Sequence, residues 1–444
     1  MKRLLFTVSG LRGVVGETLT PDVILKYTHA FARVMGQGVY YVGRDTRPHG
    51  DMVKSAAVSS LLAAGNDVVD IGIVPTPTVL FMVREKNARG GIVVTASHNP
   101  VEWNALKMVK EGGIFTFAED VDKIRSVLEE NYRWVKWDSV GKVKFYDGAI
   151  DDHIDKILSS TYVDVESVRK SGLKVAIDAV NGANYHALPH LLERMGVEVI
   201  KLNCEPSGFF PHPPEPRKEN LVDLDRLLLK GEADIGFATD PDGDRLLVGF
   251  RGIGLLTEEH TIVIAAPRVL AEKRSDIVVN LSTSMMIEKV AEKFGVRVVR
   301  TRVGEANVVR KMKEIGSVFG GEGNGGVIVP EINATRDSLV GAALILSRVA
   351  SEGIEKVMDF PNFYLLKEKV NMRGDIPEEK TIDVFSPDFI DRSDGLYLRG
   401  NDFWVHIRPS NTEPIMRIYV EAKSREEAER LLSVARDILV YGDC

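Results

Sequence analysis

Three aspartates alternate along one short segment of the chain, as Asp240, Asp242 and Asp244, and Arg245 follows them. Alternate side chains of an extended segment point to the same side, so the carboxylates are predicted to crowd together. Crowding without a cation would force protonation, and oxygen ligands favour Mg²⁺ or Ca²⁺ over zinc. An EF-hand loop needs glycine at position six and glutamate at position twelve, where this chain has Arg245 and Arg251. The segment therefore predicts a magnesium site, with a solvated acidic turn as the alternative.

A hydroxyl nucleophile is suggested by residues 95–100, in which Ser97 and His98 follow an apolar run. Residues 91–95 are predicted to form a buried strand, which puts Ser97 at its carboxyl end. Serine is a weak nucleophile unless a base, a metal or an electric field activates it, and an ordinary turn is the alternative. Hydrolysis by a Ser-His-Asp triad is disfavoured because the Gly-x-Ser-x-Gly signature is absent.

A glycine-rich segment at residues 320–326 formally contains the G-x-G-x-x-G pattern of dinucleotide-binding proteins, after a predicted strand at 317–319. That pattern requires a helix to follow, whereas residues 327–330 are typical of a strand that stops at proline. We therefore reject a nucleotide site. Glu322 accepts hydrogen bonds and Asn324 both donates and accepts them, so the two could bind neighbouring hydroxyls. A hairpin without a ligand is the alternative.

Phosphate recognition is indicated by residues 408–414, which read Arg-Pro-Ser-Asn-Thr-Glu-Pro. A guanidinium, two hydroxyls and an amide beside free backbone N–H groups are the composition of a phosphate cradle. Arg12, beside the N-terminal strand, and Lys107, ten residues after Ser97, could add cations to the same site. Either side chain could equally be a surface charge.

Most of the chain repeats a short apolar run, a polar or glycine-rich loop and an amphipathic stretch. Apolar strands that alternate with helices predict α/β layers with buried sheets. Ligands collect at the carboxyl ends of such strands, so four of the loops are expected to form parts of one site. Residues 404–439 differ, because two strands before one helix predict a smaller α+β domain.

Composition limits the partners of the protein. Its 444 residues are 44% hydrophobic and 27% charged, as in an ordinary soluble protein of several domains. The formal net charge of −7 argues against nucleic acid and membrane binding, so a phosphorylated ligand requires a local cluster of donors. Two cysteines, a short N-terminal apolar run and the lack of a membrane-spanning run predict a cytoplasmic protein.

Four motifs occur in order along the whole chain: T-A-S-H-N-P, D-P-D-G-D-R, G-G-E-G-N-G-G and R-P-S-N-T-E-P. In this combination the chain resembles the α-D-phosphohexomutase superfamily, which includes phosphoglucosamine mutase and phosphomannomutase/phosphoglucomutase. The resemblance implies four domains around a central cleft, three related α/β domains with mixed sheets and a smaller C-terminal α+β domain. We expect the domains at residues 1–150, 151–252, 253–366 and 367–444, which carry the phosphoserine, metal-binding, sugar-binding and phosphate-binding loops in turn.

The resemblance also implies roles for individual residues. Ser97 would be the phosphoserine, primed by a hexose bisphosphate, and one Mg²⁺ per chain would be bound by its phosphate and by the three aspartates. Glu322 and Asn324 would bind sugar hydroxyls. The phosphate that is not transferred would be bound by Arg408, Ser410, Asn411 and Thr412. Basic residues around the reacting phosphoryl group would be Arg12, Lys107 and Arg245, with Lys107 as a candidate for proton transfer and the adjacent His98 as a further catalytic candidate.

Two departures from the family pattern bear on specificity. Many relatives have Asn-Gly where this chain has Asn104-Ala105 before Lys107. In several bacterial subfamilies the sugar loop reads E-x-S-G-H, whereas Gly326 replaces that histidine here, so no histidine can act as an acid or base at this position. The E-x-N-G-G form is closer to archaeal-type enzymes and to some bacterial ones that are called phosphoglucosamine mutase.

The implied reaction interconverts the 6-phosphate and the 1-phosphate of a hexose through a phosphoserine enzyme and a bisphosphate intermediate. Glucosamine phosphate is the favoured substrate because of the sugar loop, with mannose or glucose phosphate as the alternative. A metal-dependent sugar phosphatase and a non-catalytic sugar-phosphate sensor are remoter alternatives. The expected partner is a small-molecule phosphosugar, with neither nucleic acid nor a membrane.

Overall fold

A computed structural model describes residues 4–130, 134–371, 374–409 and 415–441, and within these ranges the strands form four sheets. The elements of the first sheet and its helices are β1 (Leu5–Thr7), β2 (Gly10–Val14), α1 (Pro21–Met35), β3 (Val39–Arg44), α2 (Gly50–Ala63), β4 (Asp67–Ile73), α3 (Thr76–Glu85), β5 (Gly90–Val94), β6 (Trp103–Lys110), β7 (Ile114–Phe115), α4 (Ala118–Val127) and β8 (Val143–Phe145). The strand order is β1-β2-β6-β5-β3-β4-β8, with β7 beside β6. Strand β5 is buried along its whole length, as its small and apolar residues require.

The second sheet has the order β10-β9-β11-β12-β13. Its region comprises α5 (Ala149–Leu158), α6 (Val165–Ser171), β9 (Lys174–Asp178), α7 (Asn184–Met195), β10 (Glu198–Leu202), α8 (Val222–Leu229), β11 (Ile235–Thr239), β12 (Leu246–Phe250) and β13 (Gly254–Leu255). The third sheet has the order β15-β14-β16-β17. Its region comprises α9 (Glu259–Glu272), β14 (Ile277–Asn280), α10 (Met286–Phe294), β15 (Val298–Thr301), α11 (Glu305–Ile315), β16 (Gly320–Glu322), β17 (Gly326–Ile328), α12 (Ser338–Glu352) and α13 (Ile354–Val357).

These three sheets share one arrangement. In each, parallel strands are followed by an antiparallel hairpin, made by β5 and β6, by β11 and β12, and by β16 and β17. The tips of the three hairpins are residues 95–102, 240–245 and 323–325, which belong to the segments that the sequence analysis selected. The segment with Ser97, the segment with the three aspartates and the glycine-rich segment therefore occupy equivalent positions in three related sheets.

Helix α12 fixes the second and third sheets to each other. Its first twelve residues, 338–349, are all buried, and the apolar residues among them belong to a hydrophobic core that extends from Ile154 to Val357. Asp337 caps the helix, because its carboxylate accepts hydrogen bonds from the N–H groups of Leu339 and Val340. One continuous core thus holds the hairpins that carry residues 240–245 and 323–325 in a fixed relation.

The C-terminal region forms an antiparallel sheet with a separate core. Its elements are β18 (Tyr364–Asn371), α14 (Glu378–Phe385), β19 (Phe389–Asp391), β20 (Leu396–Arg399), β21 (Phe403–Pro409), β22 (Ile415–Ala422) and α15 (Arg425–Tyr441). The buried carboxylate of Glu421 accepts from the Met285 N–H and from Trp404 Nε1, both at 2.7 Å. This contact, together with a small buried hydrophobic cluster of Leu281, Met285, Tyr397 and Trp404, attaches the C-terminal sheet to the third region.

The predicted fold class is confirmed, with three mixed sheets and one antiparallel C-terminal sheet. Two details of the prediction were wrong. The C-terminal region has β18, β19 and β20 besides the two predicted strands. These three strands were not predicted because charged residues limit each of them to a short apolar run. The strand predicted at 317–319 begins only at Gly320. The domain boundaries stay predictions. None of the helices in the described part of the chain has the length and apolar character that crossing a bilayer requires.

Candidate active site

The three hairpin tips and residues of the C-terminal sheet line a cleft of 790 Å³, a volume typical of small-molecule sites. Glutamates line this cleft together with a larger number of cations. The cations are Arg12, Lys107, Arg217, Arg245, Arg302, Arg310, Arg336, Lys367, Lys369, Arg408 and Arg417. A chain of negative net charge therefore presents the local cluster of donors that a phosphorylated ligand requires.

Ser97 follows β5 with a φ of 50°, in the left-handed region that residues with side chains seldom adopt. Its Oγ donates a hydrogen bond to Asp240 Oδ2 at 2.9 Å and lies 3.3 Å from His98 Nδ1. Strained backbone of this kind concentrates at functional sites. The predicted nucleophile and the predicted metal-binding turn, which belong to different sheets, are therefore in direct contact.

The Ser97 turn is held by Arg47, to which the sequence analysis gave no role. The Arg47 side chain is 0% exposed, and its Nε pairs with Asp45 Oδ2 at 3.1 Å. Its terminal nitrogens donate, at 2.6–3.0 Å, to the backbone carbonyls of Ser97, Asn99, Pro100 and Trp103. A guanidinium offers its donors in one rigid plane, so Arg47 fixes the shape of the turn. The four carbonyls lie some fifty residues further along the chain, so no local sequence pattern around Arg47 indicates these contacts.

The three aspartates approach one another, but the predicted reason was wrong. Residues 240–245 form a turn between β11 and β12 rather than an extended segment. Gly243 has a φ of 69°, which a side chain would strain, and its N–H donates to the Asp240 carbonyl at 3.1 Å. This closed turn brings one oxygen each of Asp240, Asp242 and Asp244 within 4.8 Å of the others.

The oxygens of this turn fit a hard divalent cation. All three carboxylates are buried, and Asp242 Oδ1 and Asp244 Oδ1 have no hydrogen-bond partner among the described residues. Burial, with repulsion from Asp242 and Asp244, raises the pKa of Asp240 well above its ordinary value. A cation bound by oxygen ligands would remove both the repulsion and the unsatisfied acceptors. The donor set therefore fits Mg²⁺.

Lys107 lies beside the aspartates. It belongs to β6, and its Nζ is 2.5 Å from Asp242 Oδ2 and 3.6 Å from Asp244 Oδ2. Thr76 Oγ1 donates to the same Asp242 oxygen at 2.7 Å. Burial by itself would lower the pKa of Lys107, but the two aspartates raise it above its ordinary value. Lys107 is therefore charged at neutral pH and paired with the predicted metal-binding turn.

Three more of the predicted residues, Arg12, His98 and Arg245, line the same cleft. Arg12 belongs to β2, and its Nη1 donates to Asn99 Oδ1 at 2.5 Å. Arg245 Nε lies 3.9 Å from Asp240 Oδ2. Burial lowers the pKa of His98 well below its ordinary value, and the charges of Arg245 and Arg12 lower it further. The ring beside the serine is therefore neutral at physiological pH.

The glycine-rich segment is the tip of the hairpin that β16 and β17 form, and Glu322 and Asn324 both line the cleft. Glu322 Oε1 accepts from Asn280 Nδ2 at 2.7 Å and from the Gly304 N–H at 3.1 Å, and Oε2 accepts from Arg336 Nη1 at 2.8 Å. Burial alone would raise the pKa of Glu322, but Arg336 and these donors lower it, so the side chain is a carboxylate. Asn324 Oδ1 is buried without a partner among the described residues, which leaves it as an acceptor for a ligand hydroxyl.

The predicted phosphate cradle is described only in part. Arg408 belongs to β21, lines the cleft and has its Nε 3.3 Å from Asp394 Oδ1. Ser410, Asn411 and Thr412 lie outside the described residues. Lys369 and Arg417, on strands of the same sheet, also line the cleft, so this sheet contributes more positive charge than the sequence analysis assigned to it.

Two further residues of the cleft, Glu305 and Arg336, were missed because neither belongs to a recognisable motif. Glu305 begins α11, and Arg336 precedes the residue that caps α12. Their carboxylate and guanidinium pair at 3.1 Å. The two residues meet because the starts of α11 and α12 lie beside the hairpin tips. No local sequence pattern indicates that packing.

Four domain descriptions of one protein family match the chain in order. The phosphoglucomutase/phosphomannomutase alpha/beta/alpha domains I, II and III match residues 3–133, 151–252 and 257–362, and the C-terminal domain matches residues 373–438. A relative from Methanopyrus kandleri, named "Probable phosphoglucosamine mutase", is 37% identical over 98% of this chain and 97% of its own. A phosphoglucomutase/phosphomannomutase from Thermococcus kodakarensis is 35% identical over 98% of each chain.

Solved structures agree with these relatives. A phosphoglucomutase/phosphomannomutase family protein from Burkholderia thailandensis matches with a TM-score of 0.84 at 26% identity, over 99% of each chain. The N-acetylphosphoglucosamine mutase of Aspergillus fumigatus, solved with GlcNAc-6P and magnesium, matches over 98% of this chain and 96% of its own. Its TM-score of 0.59 at 15% identity shows a common fold.

The chain therefore belongs to the phosphoglucomutase/phosphomannomutase family. The predicted class, a phosphosugar mutase and thus an isomerase, is confirmed. The cofactors predicted for that class, Mg²⁺ and a phosphoserine, are confirmed with it. The roles of individual residues stay predictions.

Proposed function

We propose that the protein interconverts the 6-phosphate and the 1-phosphate of a hexose, with Ser97 as the phosphoryl carrier and glucosamine phosphate as the preferred substrate. The main support is the contact of Ser97 Oγ with Asp240 Oδ2 at 2.9 Å, in a cleft that the sugar-binding turn also lines. A phosphate on that oxygen would adjoin the carboxylates that fit Mg²⁺. Mg²⁺ bound there would neutralise charge on the transferring phosphoryl oxygens.

Positioning and charge neutralisation do most of the work in phosphoryl transfer. Arg47 holds the Ser97 turn through four carbonyls, so the carrier oxygen has a fixed position. Arg12 and Arg245 add positive charge to the cleft on the side of this turn. The accepting hydroxyl must lose a proton, and the neutral ring of His98 beside Ser97 is the candidate to accept it. Lys107 lines the same cleft and carries a proton, so its part in proton transfer would be to donate one to the leaving oxygen.

A mutase must present both ends of the hexose to the same serine. The first transfer gives a bisphosphate, which must turn over before the second phosphoryl group returns to Ser97. Arg408 would bind the phosphate that is not transferred, and the turn with Glu322 and Asn324 would bind the sugar hydroxyls. Contacts to a phosphate and to paired hydroxyls can be formed in either orientation, and closure of the C-terminal sheet over the cleft would protect the phosphoserine from water.

The preference for glucosamine phosphate is supported by the E-x-N-G-G form of the sugar loop and by the name of the M. kandleri relative. The T. kodakarensis relative, named for glucose and mannose phosphates, supports the alternative. The test compares kcat/KM for the 1-phosphates of glucosamine, glucose and mannose at saturating Mg²⁺. We expect glucosamine 1-phosphate to react fastest, and a higher value for either other sugar would contradict the preference. Release of inorganic phosphate without isomerisation would indicate a phosphatase instead.

We further propose a cytoplasmic enzyme that binds neither nucleic acid nor membranes. The net charge of −7 and the count of two cysteines support this. Phosphorylated sugars are also substrates of cytoplasmic metabolism. Immunolocalisation in cells, with a cytosolic marker, tests the compartment.

Replacement of Arg408 by alanine should raise KM for every phosphosugar by a similar factor. A charged hydrogen bond to phosphate contributes roughly 1.5–3 kcal/mol, which corresponds to about 10- to 150-fold. The phosphate is common to all three substrates, so their ranking should be unchanged. Steady-state kinetics on the three 1-phosphates measures both quantities.

Replacement of Glu322 by alanine is the matched contrast. Glu322 is predicted to contact hydroxyls whose arrangement differs between sugars, so this variant should change the ranking and lower kcat as well. If Arg408→Ala reorders the substrates while Glu322→Ala weakens them uniformly, the sugar lies in the opposite orientation to the one proposed.

A further inference from the structure

Arg336 bonds to three carboxylates that come from three parts of the cleft. Its Nη2 lies 2.6 Å from Asp244 Oδ2, and its Nη1 lies 2.8 Å from Glu322 Oε2. Its Nε lies 3.1 Å from Glu305 Oε2, at the start of α11. The side chain is 11% exposed, so these bonds are largely shielded from water. A planar guanidinium can hold several carboxylates at fixed angles, which an ammonium group cannot do.

Gly326 opens the space that Arg336 occupies. A Cβ atom on Gly326 would lie 2.3 Å from Arg336 Cδ and 2.7 Å from its Cγ. Gly326 is not among the residues with positive φ, so its backbone would accept a side chain, and the arginine stem is the main obstacle, with Asn324 Oδ1 at 3.1 Å as the next closest atom. The arginine stem fills that space from another part of the chain.

Arg336 engages one oxygen of each of two carboxylates, those of Asp244 and Glu322. One oxygen of Asp244 pairs with the guanidinium, and the other, Oδ1, has no hydrogen-bond partner among the described residues, with Arg245 Nε 3.8 Å away, and remains available to a metal. One oxygen of Glu322 pairs with Arg336, and the other is held by Asn280 and Gly304. Because one rigid group holds both residues, the metal-binding turn and the sugar-binding turn cannot shift independently.

We propose that Arg336 is a positioning residue that keeps Glu322 in fixed relation to Asp244, and that Gly326 and Arg336 act as a pair that sets the sugar preference. The inference rests on the proposed function, since it concerns the same hydroxyl-binding turn. The pair is complementary in space: the glycine has no side chain so that the arginine can bridge the two turns.

The first test replaces Arg336 by lysine in a Ser97→Ala background, which prevents turnover. Calorimetry measures the binding of the 1-phosphates of glucosamine, glucose and mannose, with and without Mg²⁺. Lysine keeps the positive charge but cannot hold Asp244 and Glu322 together. We expect about 10-fold weaker binding or more, by different factors for the three sugars, at a nearly unchanged melting temperature. Arg348→Lys is the control, because Arg348 is a buried arginine outside the cleft that pairs with Glu352.

The second test replaces Gly326 by alanine, alone and with Arg336→Ala. In the wild type the new methyl group must displace the arginine stem, so Gly326→Ala should weaken and reorder sugar binding as Arg336→Lys does. Once the stem is absent, the closest remaining atom is Asn324 Oδ1 at 3.1 Å, which needs to move by only a few tenths of an ångström. Gly326→Ala should therefore have a much smaller effect in the Arg336→Ala protein than in the wild type. The two changes are therefore expected to be non-additive.

The outcomes separate this inference from the proposed function. If the Ser97→Ala parent binds the phosphosugars and Arg336→Lys binds them equally well and in the same order, the positioning role is overturned and the function stands. Additive effects of Gly326→Ala and Arg336→Ala would overturn the pairing. If the parent binds no phosphosugar, the proposed function fails, and the inference fails with it.

Discussion

Ser97→Ala should abolish isomerisation, with kcat lower by on the order of 10³-fold or more, because the carrier of the phosphoryl group is removed. The fold and phosphosugar binding should survive, since the lost hydroxyl contacts only Asp240 and the adjacent His98 among the described residues, at the wall of a cleft. A coupled assay of isomerisation, together with calorimetric binding of the substrate, measures the two effects separately. Wild-type protein incubated with a hexose 1,6-bisphosphate should gain the mass of one phosphoryl group on the peptide that contains Ser97.

Ser9→Ala is the matched control, because Ser9 is an exposed serine that lines the same cleft. Its kcat should stay within about twofold of the wild-type value, as for most surface substitutions. Retention of more than a small fraction of the activity in Ser97→Ala, or phosphorylation of that variant at another serine, would exclude Ser97 as the carrier.

Asp242→Asn should weaken Mg²⁺ binding by about 10- to 100-fold and lower the rate in parallel. An amide oxygen can still bind the metal but lacks the negative charge of a carboxylate. In the wild type Lys107 Nζ lies 2.5 Å from Asp242 Oδ2, and an amide NH₂ group in that place could not accept a hydrogen bond from the ammonium group. Mg²⁺ titrations followed both by calorimetry and by initial rate provide the two measurements. The wild-type enzyme should lose its activity in a chelator and regain it when Mg²⁺ is added.

Asp178→Asn is the control for this variant. Asp178 is a buried aspartate at the end of β9 in the same sheet, held by Asn203 and His212. This change should lower the melting temperature without a change in Mg²⁺ affinity. Equal effects of the two substitutions on Mg²⁺ binding, or full wild-type activity in the chelator, would contradict the metal assignment.

Local patterns in the sequence were sufficient for much of the site. The segments with Ser97 and with the three aspartates follow a strand, Glu322 is the last residue of one, and ligands of α/β proteins gather at strand ends. Residue chemistry then predicted a hydroxyl, a hard-metal site and a hydroxyl-binding turn. The prediction for the aspartates had the right outcome for the wrong reason, because Gly243 closes a turn that alternate spacing along an extended segment does not describe.

Long-range polar contacts could not be read from the sequence. Arg47 reaches four carbonyls at positions 97, 99, 100 and 103, and Arg336 reaches carboxylates at 244, 305 and 322. Neither arginine belongs to a motif, and a lone arginine is usually a surface charge. Their partners become neighbours only after whole sheets have packed together.

The sequence by itself determined which residue types stand at the strand ends, and with them the class of chemistry. Hydrophobic periodicity and motif composition are local properties that adjacent residues specify. The tertiary structure decided which of these residues meet: the contact of Ser97 with Asp240, the pairing of Lys107 with Asp242 and the bridge through Arg336. Such contacts depend on the packing of separate sheets around shared elements such as α12, because burial of apolar surface fixes positions that no local pattern contains.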